Sequence, residues 1–226
     1  MSLVESDMPY GRGAGEACSV IALLAPGQGA QTPGMLAPWL VDDGSRAAVA
    51  RWSDLTGLDL ERLGTTADAE EIKDTAVTQP LVVATALLAH GLLAGRVELP
   101  VSLVAAGHSV GELAAAAVAG VLTPDAAVAL AAVRGREMAA ACALEPTGMS
   151  ALLGGNPDEV LARIEELGLD AANRNGAGQV VAAGPRDALA ALAENPPART
   201  RVVPLAVAGA FHTRFMAPAE KALGEH

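Results

Sequence analysis

The sequence predicts an α/β fold with helices packed on a parallel sheet, and three observations carry that reading. Over the first two thirds of the chain, short β-branched apolar runs alternate with longer helical patterns, the order that builds a parallel sheet. Hydrophobic residues make up 51% of the 226 residues and aromatics only 2%. The core is therefore built from Ala, Val and Leu, which suits helices lying close on a sheet. Third, the run from Val101 to Leu122, "VSLVAAGHSVGELAAAAVAGVL", begins as a strand and ends as an alanine-rich helix, with Gly107-His108-Ser109-Val110-Gly111 at the junction.

Taken in order, residues 1–17 are polar and glycine-bearing and read as a disordered leader. "SVIALLAPGQG" is a buried strand stopped by Pro26 and glycines. Ser45 to Leu58 has helical spacing. Thr78-Gln79-Pro80 opens a long apolar helix, with a hydroxyl as cap and proline in the first turn. The charge run Asp68 to Asp74 reads as a solvated helix face. The strand Val101 to Ala106 precedes a helix from Val110, and Thr123-Pro124-Asp125 starts another that reaches Leu144. Beyond Gly148 the pattern becomes strand, helix, strand, strand, helix, strand: "MSALLGG", the helix capped at Asn156, "DAANRNG", "QVVAAG", Arg186 to Glu194 and "TRVVPLAVAG". That is the split βαβ order of a ferredoxin-like unit, whose ends lie close enough together for insertion into a larger domain. The domains expected are residues 18–146 with 206–226 as the large subdomain and 147–205 as the small one.

Composition excludes some functions. A net charge of -11 leaves no basic stripe to neutralise nucleic-acid phosphates. Two cysteines, Cys18 and Cys142, are too few for a disulfide framework and fit a reducing, cytoplasmic setting. The histidines, His90, His108, His212 and His226, are scattered without metal-ligand spacing. The apolar stretch Leu81 to Gly95 is shorter than the roughly 20 residues that span a bilayer and reads as a buried helix. No metal, redox cofactor or membrane is expected.

The junction carries the chemistry. Gly-x-Ser-x-Gly between a strand and a helix is a nucleophile elbow, in which the glycines allow a sharp turn and the serine stands at the helix N-terminus. There the N–H of Val110 and the helix dipole favour a developing oxyanion. A serine near its ordinary pKa needs a base. His108 is adjacent, but a neighbouring side chain in an elbow points away. His90 lies in an apolar helix and His226 ends the chain. His212, where a strand gives way to a loop, is the best candidate; a structural histidine is the alternative. The loop Pro26 to Gln31 either presents backbone amides to a ligand or is simply a tight turn.

Together, "APGQGAQTPGM" (Ala25 to Met35), "TQP" (Thr78 to Pro80), "GHSVGELAAAAVAGVL" (Gly107 to Leu122), "RGREM" (Arg134 to Met138), "NRNGAGQVVAAG" (Asn173 to Gly184) and "GAFH" (Gly209 to His212) resemble the malonyl-CoA:acyl carrier protein transacylase family, which includes the acyltransferase domains of fatty-acid and polyketide synthases. The resemblance implies an α/β-hydrolase-like large subdomain with an inserted ferredoxin-like small subdomain. It implies Ser109 as nucleophile, His212 as base, and the backbone N–H groups of Gln28 and Val110 as oxyanion hole. It gives Arg134, otherwise an ordinary exposed helix residue, the free carboxylate of the malonyl group, a task suited to a planar guanidinium fork. Gln79, His108 and Asn175 line or support the site, and Phe211 before the histidine goes with malonyl rather than methylmalonyl. The partners implied are malonyl-CoA and acyl carrier protein, with a monomer at full length. Members continue some tens of residues past the position of His226, so the resemblance also implies strand edge and helix faces left open here. The same elbow serves serine hydrolases, whose triad acid would be Asp170 or Asp187.

Overall fold

The computed structural model describes residues 2–4, 21–99, 102–176 and 178–226. The chain divides into two compact units, Met1–Gly135 and Arg136–His226.

The first unit holds a three-stranded sheet in the order β1 (Ser2–Val4), β2 (Ala22–Ala25), β3 (Val104–Gly107). β2 and β3 are parallel, and β1 is antiparallel to β2. The leader expected to lack structure thus contributes a strand, because the apolar Ser-Leu-Val run pairs the otherwise open polar edge of β2. The rest of the leader, with Cys18, lies outside the described residues, as does Val101 at the expected start of β3. Side chains alternate across the parallel pair. Leu23 is buried on the face that receives the helices, whereas Leu24 and Val104, on the opposite face, are 43% and 51% exposed.

Helices pack on the inner face. α1 (Asp43–Thr56) starts at a reciprocal cap, Asp42 accepting from the Ser45 N–H and the Ser45 hydroxyl accepting from the Asp42 N–H, and stops at Gly57 in the left-handed region. A short α2 (Leu60–Thr65), capped by Asp59, went unanticipated. The charge run forms a single 3-10 turn, Glu71–Lys73, with Ile72 buried and its charged neighbours exposed. α3 (Thr75–Ala94) begins three residues before the expected Thr78. Its cap is Asp74, whose carboxylate accepts from the Ala76 N–H at 2.8 Å. Pro80 therefore sits inside the helix rather than in its first turn. At 20 residues α3 is, among the described residues, the one helix long and apolar enough to cross a membrane, yet every residue from Thr78 to Ala89 is buried within the unit. It packs with α4 (Gly111–Val118) and α5 (Pro124–Cys142) around Leu36, Val49, Trp52, Leu60 and Val110.

The second unit follows the expected order: β4 (Thr147–Gly154), α6 (Pro157–Glu166), β5 (Asp170–Gly176), β6 (Gln179–Pro185), α7 (Arg186–Glu194), β7 (Thr200–Pro204). The sheet is antiparallel in the order β5-β6-β4-β7. The period-2 alternation of β6 sends Val180 and Ala182 to α6 and α7, with Leu152, Ile164 and Leu192. Val181 and Ala183 face the other way. That second face is covered by Met138 and Ala141 of α5, by Phe211 and Met216, and by Ala219 of α8 (Ala217–Gly224). Residues 206–226 therefore pack with the small sheet, although the sequence assigns them to the large subdomain: their apolar side chains are what closes its second face.

Leu152 is fully buried in the central strand β4. Leu152→Ala is expected to destabilise the second unit by about 2–5 kcal/mol, through lost burial and the cavity left behind, read from urea denaturation.

Candidate active site

Ser109 stands between β3 and α4 with φ of 54°. A residue with a Cβ rarely adopts this left-handed conformation, and holding it costs of order 1–3 kcal/mol unless the surroundings dictate it. Here two glycines dictate it. A β-carbon on Gly107 would collide with the backbone of Gly111 and Glu112. One on Gly111 would collide with the carbonyl of Ala25 and stand 2.6 Å from that of Pro26. The His108 N–H donates to the Ala25 carbonyl at 3.0 Å, tying the elbow to the end of β2. The Glu112 N–H closes the turn onto the Ser109 carbonyl at 3.0 Å. Val110 is the N-cap of α4, so its N–H lies among the helix-start amides that have no intrahelical acceptor.

The loop after β2 lies beside this turn. A β-carbon on Gly27 would come within 2.7 Å of both the Nδ1 and the carbonyl oxygen of His108. His108 thus lies against Gly27 and lines a cavity of about 640 Å³ with Met35, Trp39 and Val82. Gln28 is tied down by its side chain, whose Nε2 donates to Thr75 Oγ1 at 3.2 Å.

Arg134 comes to the serine from α5. Its Nη2 donates to Ser109 Oγ at 3.2 Å and its Nη1 to Gln79 Oε1 at 2.7 Å. Gln79 is fully buried on α3. Burial pushes the guanidinium below its ordinary value, and the charge of Glu112 opposes this; an arginine so placed stays protonated at neutral pH. The exposed helix residue of a plain periodicity reading is therefore a half-buried cation beside a hydroxyl.

The second unit holds the remaining predicted residues. His212 has φ of 60° and sits in a turn built by threonines. Thr147 Oγ1 accepts from the Ala210 N–H at 3.0 Å, and Thr213 Oγ1 donates to the Ala210 carbonyl at 2.6 Å. Phe211 is buried in the core beside Met138 and Met149. Asn175 is exposed near the β5–β6 turn and donates to Gln179 Oε1 at 3.0 Å. Asp170, a candidate hydrolase acid, instead faces Arg214 Nη1 with both oxygens, at 3.1 and 2.9 Å. Asp187 lies in the first turn of α7, accepting from the Ala188 N–H.

Among the described residues, non-glycine positive φ occurs at Ser109, Arg199 and His212. Two of those three are the predicted nucleophile and base. Backbone strain of this kind concentrates where function requires a side chain to be aimed. Among the described residues no cluster of three His, Cys, Asp or Glu could hold a metal. His90 is half-buried on α3, where burial lowers its imidazole pKa, and burial raises that of the Cys142 thiol. Thr75 and Gly135 carried no signal in the sequence, since their part depends on two helices meeting in space.

Residues 23–226 match the family described as acyl transferase domain. The chain belongs to that family. It is 64% identical over 201 residues to the malonyl CoA-acyl carrier protein transacylase of Mycobacterium tuberculosis, covering 88% of this chain and 67% of that relative. It is 33% identical over 211 residues to the polyketide biosynthesis protein ThaF of Burkholderia thailandensis, covering 91% of this chain and 18% of that protein. The crystal structure of MCAT from Mycobacterium tuberculosis superposes with a TM-score of 0.88 at 62% identity, over 91% of this chain and 68% of that one. The chain thus spans about two thirds of the length of its transacylase relatives.

Two glycines separate the packing roles of this residue type. Gly107→Ala forces a β-carbon into helix backbone and is expected to cost about 3 kcal/mol or more, at the upper end of overpacking penalties. Gly91→Ala meets nothing within 4 Å in the exposed last turns of α3 and is expected to raise stability by about 0.5–1 kcal/mol. Thermal melts of the two variants check both signs.

Proposed function

We propose that this acyltransferase moves a malonyl group from malonyl-CoA to the phosphopantetheine thiol of acyl carrier protein, through an ester on Ser109. The observation that carries the reading is the guanidinium of Arg134, 3.2 Å from Ser109 Oγ and held on its other arm by Gln79. A malonyl ester on Ser109 brings a carboxylate next to a cation whose planar fork binds that group bidentately. An acyl group without a carboxylate leaves the cation with nothing to neutralise. The transacylase relative is named for malonyl CoA and acyl carrier protein, and the similarity to a polyketide protein leaves both fatty-acid and polyketide synthesis as settings.

The steps balance without a metal or redox cofactor. Ser109 Oγ attacks the thioester carbonyl while His212 takes its proton. The tetrahedral oxyanion is held by the N–H groups of Gln28 and Val110 and collapses by expelling the CoA thiolate, which is protonated from the imidazolium. The carrier thiol then gives its proton to His212, attacks the malonyl ester, and Ser109 leaves with that proton. Gln79 orients Arg134, and His108 supports the Pro26–Gln31 loop. The finer architecture proposed is a hydrolase-like unit bearing the serine and a ferredoxin-like unit, in a soluble cytoplasmic enzyme.

Intact mass after mixing with malonyl-CoA tests the reading. Ser109→Ala is expected to abolish the malonyl adduct, and His212→Ala to slow it about 10²–10⁴-fold. An unchanged adduct in Ser109→Ala contradicts the mechanism. Arg134→Ala is expected to lose about 2–5 kcal/mol toward malonyl-CoA and far less toward acetyl-CoA, with Arg134→Lys recovering part of the loss. Equal losses with both donors would make Arg134 a structural residue only.

A further inference from the structure

The first two turns of α3 meet two elements of the site, the loop after β2 and α5. Thr75 begins the helix and is 1% exposed. Its hydroxyl oxygen accepts from Gln28 Nε2 at 3.2 Å. Its carbonyl oxygen would lie 2.7 Å from a β-carbon on Gly135, with Ala76 Cα at 3.1 Å, so α5 rests on α3 at the residue after Arg134. One turn along α3, Gln79 accepts from Arg134. The loop carrying Gln28 has glycines on either side of it, and Gly29 has φ of 108°. Such a loop has many backbone states to lose, so a hydrogen bond from the Gln28 side chain to a buried helix residue restricts where the Gln28 N–H points. A second side-chain bond, from the Gly29 N–H to Gln31 Oε1 at 2.7 Å, closes within the loop and ties it to nothing else.

We infer that Thr75 is a positioning residue for acyl transfer at Ser109. Its hydroxyl aims the Gln28 backbone N–H at the developing oxyanion through the Gln28 side chain, and its carbonyl sets the place of Arg134 through contact with Gly135. The inference rests on the proposed function above. It assigns the two halves of Thr75 to different parts of the reaction. The hydroxyl serves the oxyanion, which every acyl donor forms. The carbonyl contact serves the guanidinium, which only a carboxylate-bearing donor uses.

Two variants separate the halves. Thr75→Val keeps volume and β-branching but removes the acceptor. It is expected to lower the rate of Ser109 acylation at saturating donor by roughly 10-fold or more, within the 10²–10³-fold lost with a whole oxyanion donor. The loss is the same for malonyl-CoA and acetyl-CoA, and KM stays within about twofold because uniform binding is untouched. Thr75→Ser restores most of the rate. Gly135→Ala lifts α5 and is expected to reduce the preference for malonyl-CoA over acetyl-CoA by about 10-fold, since small misplacements of an aligned group are costly. Hydrogen exchange followed by mass spectrometry gives a readout without turnover: the 26–31 segment exchanges faster in Thr75→Val and at the unsubstituted rate in Thr75→Ser. If the unsubstituted protein forms no malonyl adduct, the substrate reading fails; burst acylation of Ser109 by p-nitrophenyl acetate and the exchange data then decide the positioning role alone. The inference is overturned if Thr75→Val leaves rate and exchange unchanged, if Thr75→Ser is as slow as Thr75→Val, or if Thr75→Val raises KM for malonyl-CoA alone.

Discussion

A guanidinium held within hydrogen-bonding distance of a serine hydroxyl is the interaction on which the rest of the site depends. Arg134 reaches Ser109 only because α5 comes close to α3, and that approach requires a residue without a side chain at Gly135. It points where it does because Gln79, buried on α3, takes its other arm. A half-buried cation is unfavourable unless something anionic repays its lost hydration. Burial does depress the Arg134 pKa, with Glu112 supplying a partial counter-charge. In the proposed reaction a carboxylate arriving on Ser109 supplies the rest, which would make the site selective as well as reactive.

The serine is held by a different physical means. Its backbone lies in a region that costs energy, and close packing of the flanking glycines holds it there. Gly107 and Gly111 let β3, the start of α4 and the end of β2 approach so closely that the chain has no room to relax the turn. The result is a hydroxyl fixed at a helix N-terminus, next to amides oriented for a negative charge. His212 in the second unit shares the left-handed conformation, in a turn held at Ala210 by Thr147 from β4 and by Thr213 within the turn. The proposed nucleophile and base thus both sit on backbone in the left-handed region.

Much of this was legible in the sequence, for reasons that vary from element to element. The elbow could be read because its glycines are needed by local geometry, which five consecutive residues define. The order of the second unit could be read because its strands alternate with period 2 and its helices carry caps such as Asn156. The start of α3 was misread because both Asp74 and Thr78 can cap a helix, and Pro80 argued for the later one. The packing of residues 206–226 could not be read, because burial of Phe211 and Met216 on the small sheet is a tertiary outcome with no local signature. A strand at Ser2–Val4 was missed because three residues carry no periodicity, and only the open edge of β2 explains it. The role proposed for Arg134 came from the family resemblance alone; helical spacing put it on the surface. Thr75 was invisible, because its two contacts join residues 47 positions away in one direction and 60 in the other.

The most direct test of this account is a crystal structure of the protein after reaction with malonyl-CoA. The account expects an ester on Ser109 Oγ, its carboxylate paired with Arg134, and the bond from Arg134 to Gln79 retained. An adduct on another residue, or a malonyl carboxylate turned to solvent away from Arg134, would contradict it.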